Sequence, residues 1–177
     1  MKMGKRKIKI SLSDTDSIQR AIDEIQEYRK DLMTNISIFL DNLISEGIVV
    51  AKAQVATAPP EYRDRVTVES NSVFRTGYIY TGVIRLQGDQ ALFIEFSAGE
   101  KYGTDHFDPL PNNPSYGSGY GKGTYNPESD NWKNPDGWRY GKGGSQHTYG
   151  TPAVAPMYNA DKKMRDILIE AAKKVWG

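Results

Sequence analysis

Cysteine is absent from this chain, and histidine occurs only at His106 and His147. Without cysteine there is no disulfide framework and no thiolate metal site, which suits assembly in a reducing cytoplasm. Net charge is nearly missing as well: 23 Lys and Arg stand against 22 Asp and Glu, a formal +1. Such a balance gives no global field to draw in nucleic acid, a membrane surface or an acidic partner. No apolar run approaches the roughly 20 residues of a helical membrane span. The one charge cluster, Lys2-Met3-Gly4-Lys5-Arg6-Lys7, passes at once into mixed polar residues with no apolar h-region, unlike a signal peptide. What remains is a soluble chain of 177 residues, read as one domain over 1–177 and large enough to bury a core unaided.

Hydrophobic periodicity divides the chain. After the basic arm, Lys7 to Leu12 (KIKISL) alternates polar and apolar as a short strand would, so that residues 1–13 read as an arm plus strand. Ser13-Asp14-Thr15-Asp16 supplies N-cap oxygens. Ile18, Ala21, Ile22, Ile25 and Tyr28, then Leu32, Ile36, Phe39, Leu40, Leu43 and Ile44, recur at helical spacing, with no proline before Pro59-Pro60. This predicts either one very long helix or two, bent near Arg29–Met33, with Gly47 to Val50 a weaker break point. Beyond the prolines, Val66 to Phe74 and Tyr78 to Leu86 read as strands of an antiparallel sheet. Gln87-Gly88-Asp89 reads as a tight turn, with Ala91 to Phe96 its hairpin partner. Gly82 inside a strand signals a bulge or a close approach. Residues 98–136 form an extended Gly/Tyr-rich loop, Gly137-Trp138-Arg139-Tyr140 returns as a strand, and a last helix starts near an Asn159 N-cap. The fold class is α+β: long N-terminal helix, small antiparallel sheet with its long loop, and a C-terminal helix packed on the sheet.

Motifs for catalysis are incomplete. Gly117-Ser118-Gly119-Tyr120-Gly121-Lys122-Gly123-Thr124 has P-loop ingredients, but Gly123 stands where the hydroxyl must directly follow the lysine. It also lacks the strand–loop–helix setting that aims amides at a phosphate. Asp105-His106-Phe107-Asp108 offers metal-ligand types without the further ligands an ion needs. Glu95, Glu100, Lys101 and Asp105 are the nearest approach to a nuclease cluster, and their spacing matches no nuclease pattern. The reading is therefore non-enzymatic, with no cofactor and no metal.

Aromatic residues are concentrated instead. Six of the 11 tyrosines fall between Tyr102 and Tyr149, with two of the three tryptophans and most of the glycine. Tyr102, Tyr116, Tyr120, Tyr125, Trp132, Trp138 and Tyr140 form a candidate partner-contact surface. Such side chains bring large area at low rotamer cost, and glycine lets the loop conform. Single-stranded nucleic acid would stack on similar residues but wants a basic groove. Here Lys101, Lys122, Lys133, Arg139 and Lys142 are countered by Glu100, Asp105, Asp108, Glu128, Asp130 and Asp136, which favours protein over specific nucleic-acid contact.

Three segments carry a resemblance: Phe93-Ile94-Glu95-Phe96-Ser97-Ala98-Gly99, Gly137-Trp138-Arg139-Tyr140, and Tyr149-Gly150-Thr151-Pro152-Ala153-Val154-Ala155-Pro156-Met157-Tyr158. In order and spacing the chain resembles phage tail-completion or minor tail proteins of the head–tail joining type. The second half carries the motifs and the first half the pattern only. Ser97-Ala98 departs from that family, which often has glycine directly after the phenylalanine. The resemblance implies a virion protein assembled in the host cytoplasm, with copies in a ring that contacts connector and tail-terminator proteins. It carries over no catalytic residues. The alternative is a phage nuclease or a small nucleic-acid-binding module using the aromatics and Lys2–Lys7.

Overall fold

The computed structural model describes residues 7–11, 13–97, 134–140 and 142–177, and of Tyr140 the backbone only. Helix α1 runs unbroken from Thr15 to Thr57, 43 residues and so about 65 Å at 1.5 Å per residue. Of the two arrangements the periodicity allowed, the single helix forms, continuous through Arg29–Met33 and through Gly47. Asp14 is the cap: extended at φ −124° and ψ 106°, it accepts from the Asp16 amide at 3.0 Å. Pro59 ends the helix, because its ring disfavours helical backbone at Ala58, which sits at φ −69°, ψ 154°. Pro60 opens a single turn, α2 (Pro60–Arg63), where its missing amide costs nothing.

Strands β1 (Thr67–Thr76) and β2 (Ile79–Gln87) pair antiparallel. Their loop is Gly77-Tyr78, and a positive φ of 63° at Gly77 alone suits a type II′ turn. Register passes from Asn71↔Val83 to Phe74↔Thr81, so Ser72 and Val73 share one opposite residue, Gly82. That is the expected bulge. A Cβ on Gly82 would also collide with the tip of Ile44, so the glycine lets the sheet lie close on α1.

Ala91 to Phe96, read from sequence as a hairpin partner, is instead a short helix, α3 (Ala91–Phe96). The reason lies at Gly88, whose φ of 125° turns the chain against the Arg65 carbonyl and away from the β2 edge. Nor does KIKISL form a strand over its described residues 7–11. No described strand pairs with it, and a strand without an edge has no partner for its backbone. Instead the Ser11 amide donates to the Ser17 hydroxyl at 2.9 Å, tying the arm to the first turns of α1.

Strands β3 (Trp138–Tyr140) and β4 (Gln146–Thr148) make a second, separate two-stranded sheet. The predicted returning strand thus exists but does not join β1–β2. Helix α4 (Pro156–Asp166) starts three residues before the expected cap, and Ile167 separates it from α5 (Leu168–Trp176). The i to i−4 bonds continue across Ile167, so the interruption is slight. Helix α4 lies along α1 and touches β2. At that junction a Cβ on Gly47 would stand 2.7 Å from Ile84 Cδ1 and 2.9 Å from the Met164 sulfur. Trp176 of α5 reaches Phe39, ring centroids 5.2 Å apart. The architecture is mixed helix and sheet, α+β. Its main buried cluster, Ala58, Tyr62, Val66, Phe93 and Ile94, gathers at the C-terminal end of α1.

Candidate functional site

Beside that cluster, α3 meets the lead-in to α4. A six-residue helix leaves its last carbonyls without intrahelical partners. Here the Ile94 carbonyl accepts from both Val154 N (2.9 Å) and Ala155 N (3.0 Å). Helix α4 has the complementary problem, free amides at its start. Its cap position is Ala155, which has no side-chain acceptor. Glu95 supplies the acceptors from 62 and 63 residues away: Oε2 takes the Met157 amide at 2.9 Å and Oε1 the Tyr158 amide at 3.0 Å. A carboxylate is also the charge that a helix N-terminus favours.

Asn159 therefore does not cap. It lies inside α4, and its side-chain amide donates back to the Val154 and Ala155 carbonyls at 3.2 and 2.9 Å. From sequence the asparagine looked like the nearest acceptor, whereas the acceptor that acts belongs to another element.

Glu95 is only 7% exposed. Burial raises its carboxyl above the ordinary value, and the Met157 and Tyr158 amides work in the opposite direction. Both oxygens accept backbone amides, so Glu95, one of the four residues of the nuclease alternative, holds two segments together. Glu100, Lys101 and Asp105 lie outside the described residues. Among the described residues no three Asp, Glu or His side chains converge as metal ligands.

Backbone strain collects at the same junction. Ser97 sits at φ 74°, ψ 167°, a region used almost only by glycine. Ala155 is left-handed at φ 47°, ψ 58°. These are the two non-glycine residues with positive φ among those described, and they flank the Glu95 cap from either side. The Ser97 hydroxyl is fully buried and has no hydrogen-bond partner among the described residues. The departure noted from sequence, serine where glycine is frequent, thus falls where the backbone calls for glycine.

The β3–β4 sheet is fastened to this junction through α2. Tyr62 Oη and Thr148 Oγ1 stand 2.7 Å apart, buried, and Thr148 Oγ1 also accepts from the Gly150 amide at 3.0 Å. Tyr62 packs edge-on to Phe93, centroids 6.3 Å apart. Of the seven aromatics predicted to contact a partner, Trp138 is half-buried on β3 opposite Thr148, and Tyr140 pairs with Gln146. Tyr102, Tyr116, Tyr120, Tyr125 and Trp132 lie outside the described residues.

Comparison of the chain with family models, with curated proteins and with solved structures found no match. No helix among the described residues is long and apolar enough to cross a membrane.

Proposed function

We propose that this chain is a non-enzymatic structural protein of a tailed phage or prophage virion. In this reading copies form a ring that completes the tail or the head–tail junction, between connector and tail-terminator proteins. The observation that carries the reading is the junction just described. The segments that resemble head–tail joining proteins, Phe93–Gly99 (described through Ser97) and Tyr149–Tyr158, are distant in sequence yet share four hydrogen bonds, two between backbone groups and two from backbone amides to the Glu95 carboxylate. Both strained non-glycine residues lie within them. Strain held in place by surrounding contacts is typical of sites that serve a function beyond folding. The chain between these segments is the aromatic, glycine-rich stretch, so the clamp joins residues that lie before and after it in sequence. The geometry suits presentation of that stretch to a neighbouring subunit.

A mass-spectrometric census of purified virions tests the assignment, with the protein expected at a fixed stoichiometry. Its absence from virions would refute it. Deleting residues 116–125 is expected to leave a folded protein and to stop infectious particles forming. A normal particle yield would end the role given to the stretch.

A further inference from the structure

One stretch in the first half of α1 is bare, between the buried Ser17 and Ala21 and the half-buried residues from 31 onward. Every residue from Ile22 to Lys30 is exposed, a full two turns with no face covered, although short isolated helices are marginal in water. That stretch carries an apolar stripe, Ile22, Ile25 and Tyr28, with Ile25 at its centre and 52% exposed. Further along, the same face of α1 receives Trp176 at Phe39 and Met164 at Gly47. The stripe thus continues an intrachain contact past the point where any described residue covers it.

We propose that this stretch of α1 pairs with the same stretch of a second copy of the chain, parallel and in register. Ile18, Ile25, Leu32 and Phe39 recur at intervals of seven, which places Ile25 and Leu32 at a, Tyr28 at d, Ile22 and Arg29 at e, and Glu24 at g. In a parallel pair a g residue faces the e residue five positions on in the other helix. Glu24 of one copy then faces Arg29 of the other, and the reverse, so both contacts are attractive. Among the described residues neither has a hydrogen bond or ion pair that would compete. An antiparallel pair built on the same stripe brings Glu24 against Glu24, which selects the parallel form. The contact starts at Ile22 because the arm, through Ser11, already occupies the turn at Ser17. The contact is two-fold and closes as a dimer, so it rests on the proposed function only in that pairs of copies would be the units from which the ring is built.

The absence of cysteine makes the test direct. Ile25→Cys in the full chain is expected to form a covalent dimer under mild oxidation, because facing seam positions approach to the about 5.5–6 Å Cα separation of a disulfide. Asp23→Cys, on the opposite face of the helix, is expected not to. Equal cross-linking at both positions, or none at Ile25, would overturn the proposal. In sedimentation equilibrium Glu24→Arg and Arg29→Glu should each weaken association about three- to tenfold, as expected for exposed charge pairs met twice per dimer. Together the two reversals should restore it. A chain monomeric at all concentrations, or one that associates only with a different protein, would equally overturn it. Both substituted positions are exposed, so unchanged circular dichroism separates lost association from lost fold. Absence from virions would remove the virion role and leave self-association standing, whereas a monomeric chain would do the reverse.

Discussion

Replacing Ser97 with glycine is expected to stabilise the protein, although glycine at most positions does the opposite. Two terms favour the change. Backbone in this region strains any residue with a Cβ by about 1–3 kcal/mol, and Ser97 sits there at φ 74°, ψ 167°. Its buried hydroxyl also has no partner among the described residues, an omission that costs about 1–3 kcal/mol. Against these stands the larger conformational freedom of glycine in the unfolded chain, about 0.4–1 kcal/mol. The net gain should be about 1–5 kcal/mol, and for a chain of this size each kcal/mol raises Tm by about 2–4 °C. Ser97→Ala separates the terms, since it removes the hydroxyl and keeps the strain, and it should fall between wild type and Ser97→Gly. Urea unfolding followed by circular dichroism measures all three. A Ser97→Gly variant no more stable than Ser97→Ala would show that the backbone is not strained there. One less stable than wild type would refute the account of the turn.

Two further outcomes follow from the same junction. Glu95→Ala removes the acceptor of two helix-start amides and should cost about 1–2 kcal/mol, with faster hydrogen exchange at Met157 and Tyr158. Because burial raises the Glu95 carboxyl, between its ordinary and its raised value the folded chain holds a proton that the unfolded chain has released. The stability Glu95 contributes is therefore complete below the ordinary value, 4.5, and declines as pH rises through the raised one. The gap between wild type and Glu95→Ala should be widest in acid and narrow toward neutrality, and a gap that widens with pH would reverse the assignment. Tyr62→Phe leaves the Thr148 hydroxyl with Gly150 alone and should cost about 0.5–1.5 kcal/mol. Loss of protection should be concentrated in β3 and β4, and uniform loss over the whole chain would count against the tether.

Local and periodic features were legible in the sequence by itself. The helical spacing from Ile18 to Ile44, a cap within Ser13–Asp16 and the stop at Pro59 marked where helix begins and ends, because each acts within a few residues, while one long helix and two bent ones remained equally compatible with the spacing. Gly82 marked the bulge, since little else tolerates a backbone that close to another element. Legibility ended where one segment's conformation depends on a distant one. Ala91 to Phe96 is six residues of apolar character whose periodicity fits strand or helix alike. The turn at Gly88 decided for helix, as did the Val154 and Ala155 amides waiting for the Ile94 carbonyl. Asn159 looked like the cap of the last helix because it is the nearest acceptor, and Glu95 fills that role because folding brings it there. The sequence by itself determined a helical run that ends at Pro59 and the two strands of the β1–β2 pair. Only the tertiary structure decided that Glu95 and the start of α4 form one clamp, since hydrogen bonds spanning about 60 residues leave no periodic trace in either segment.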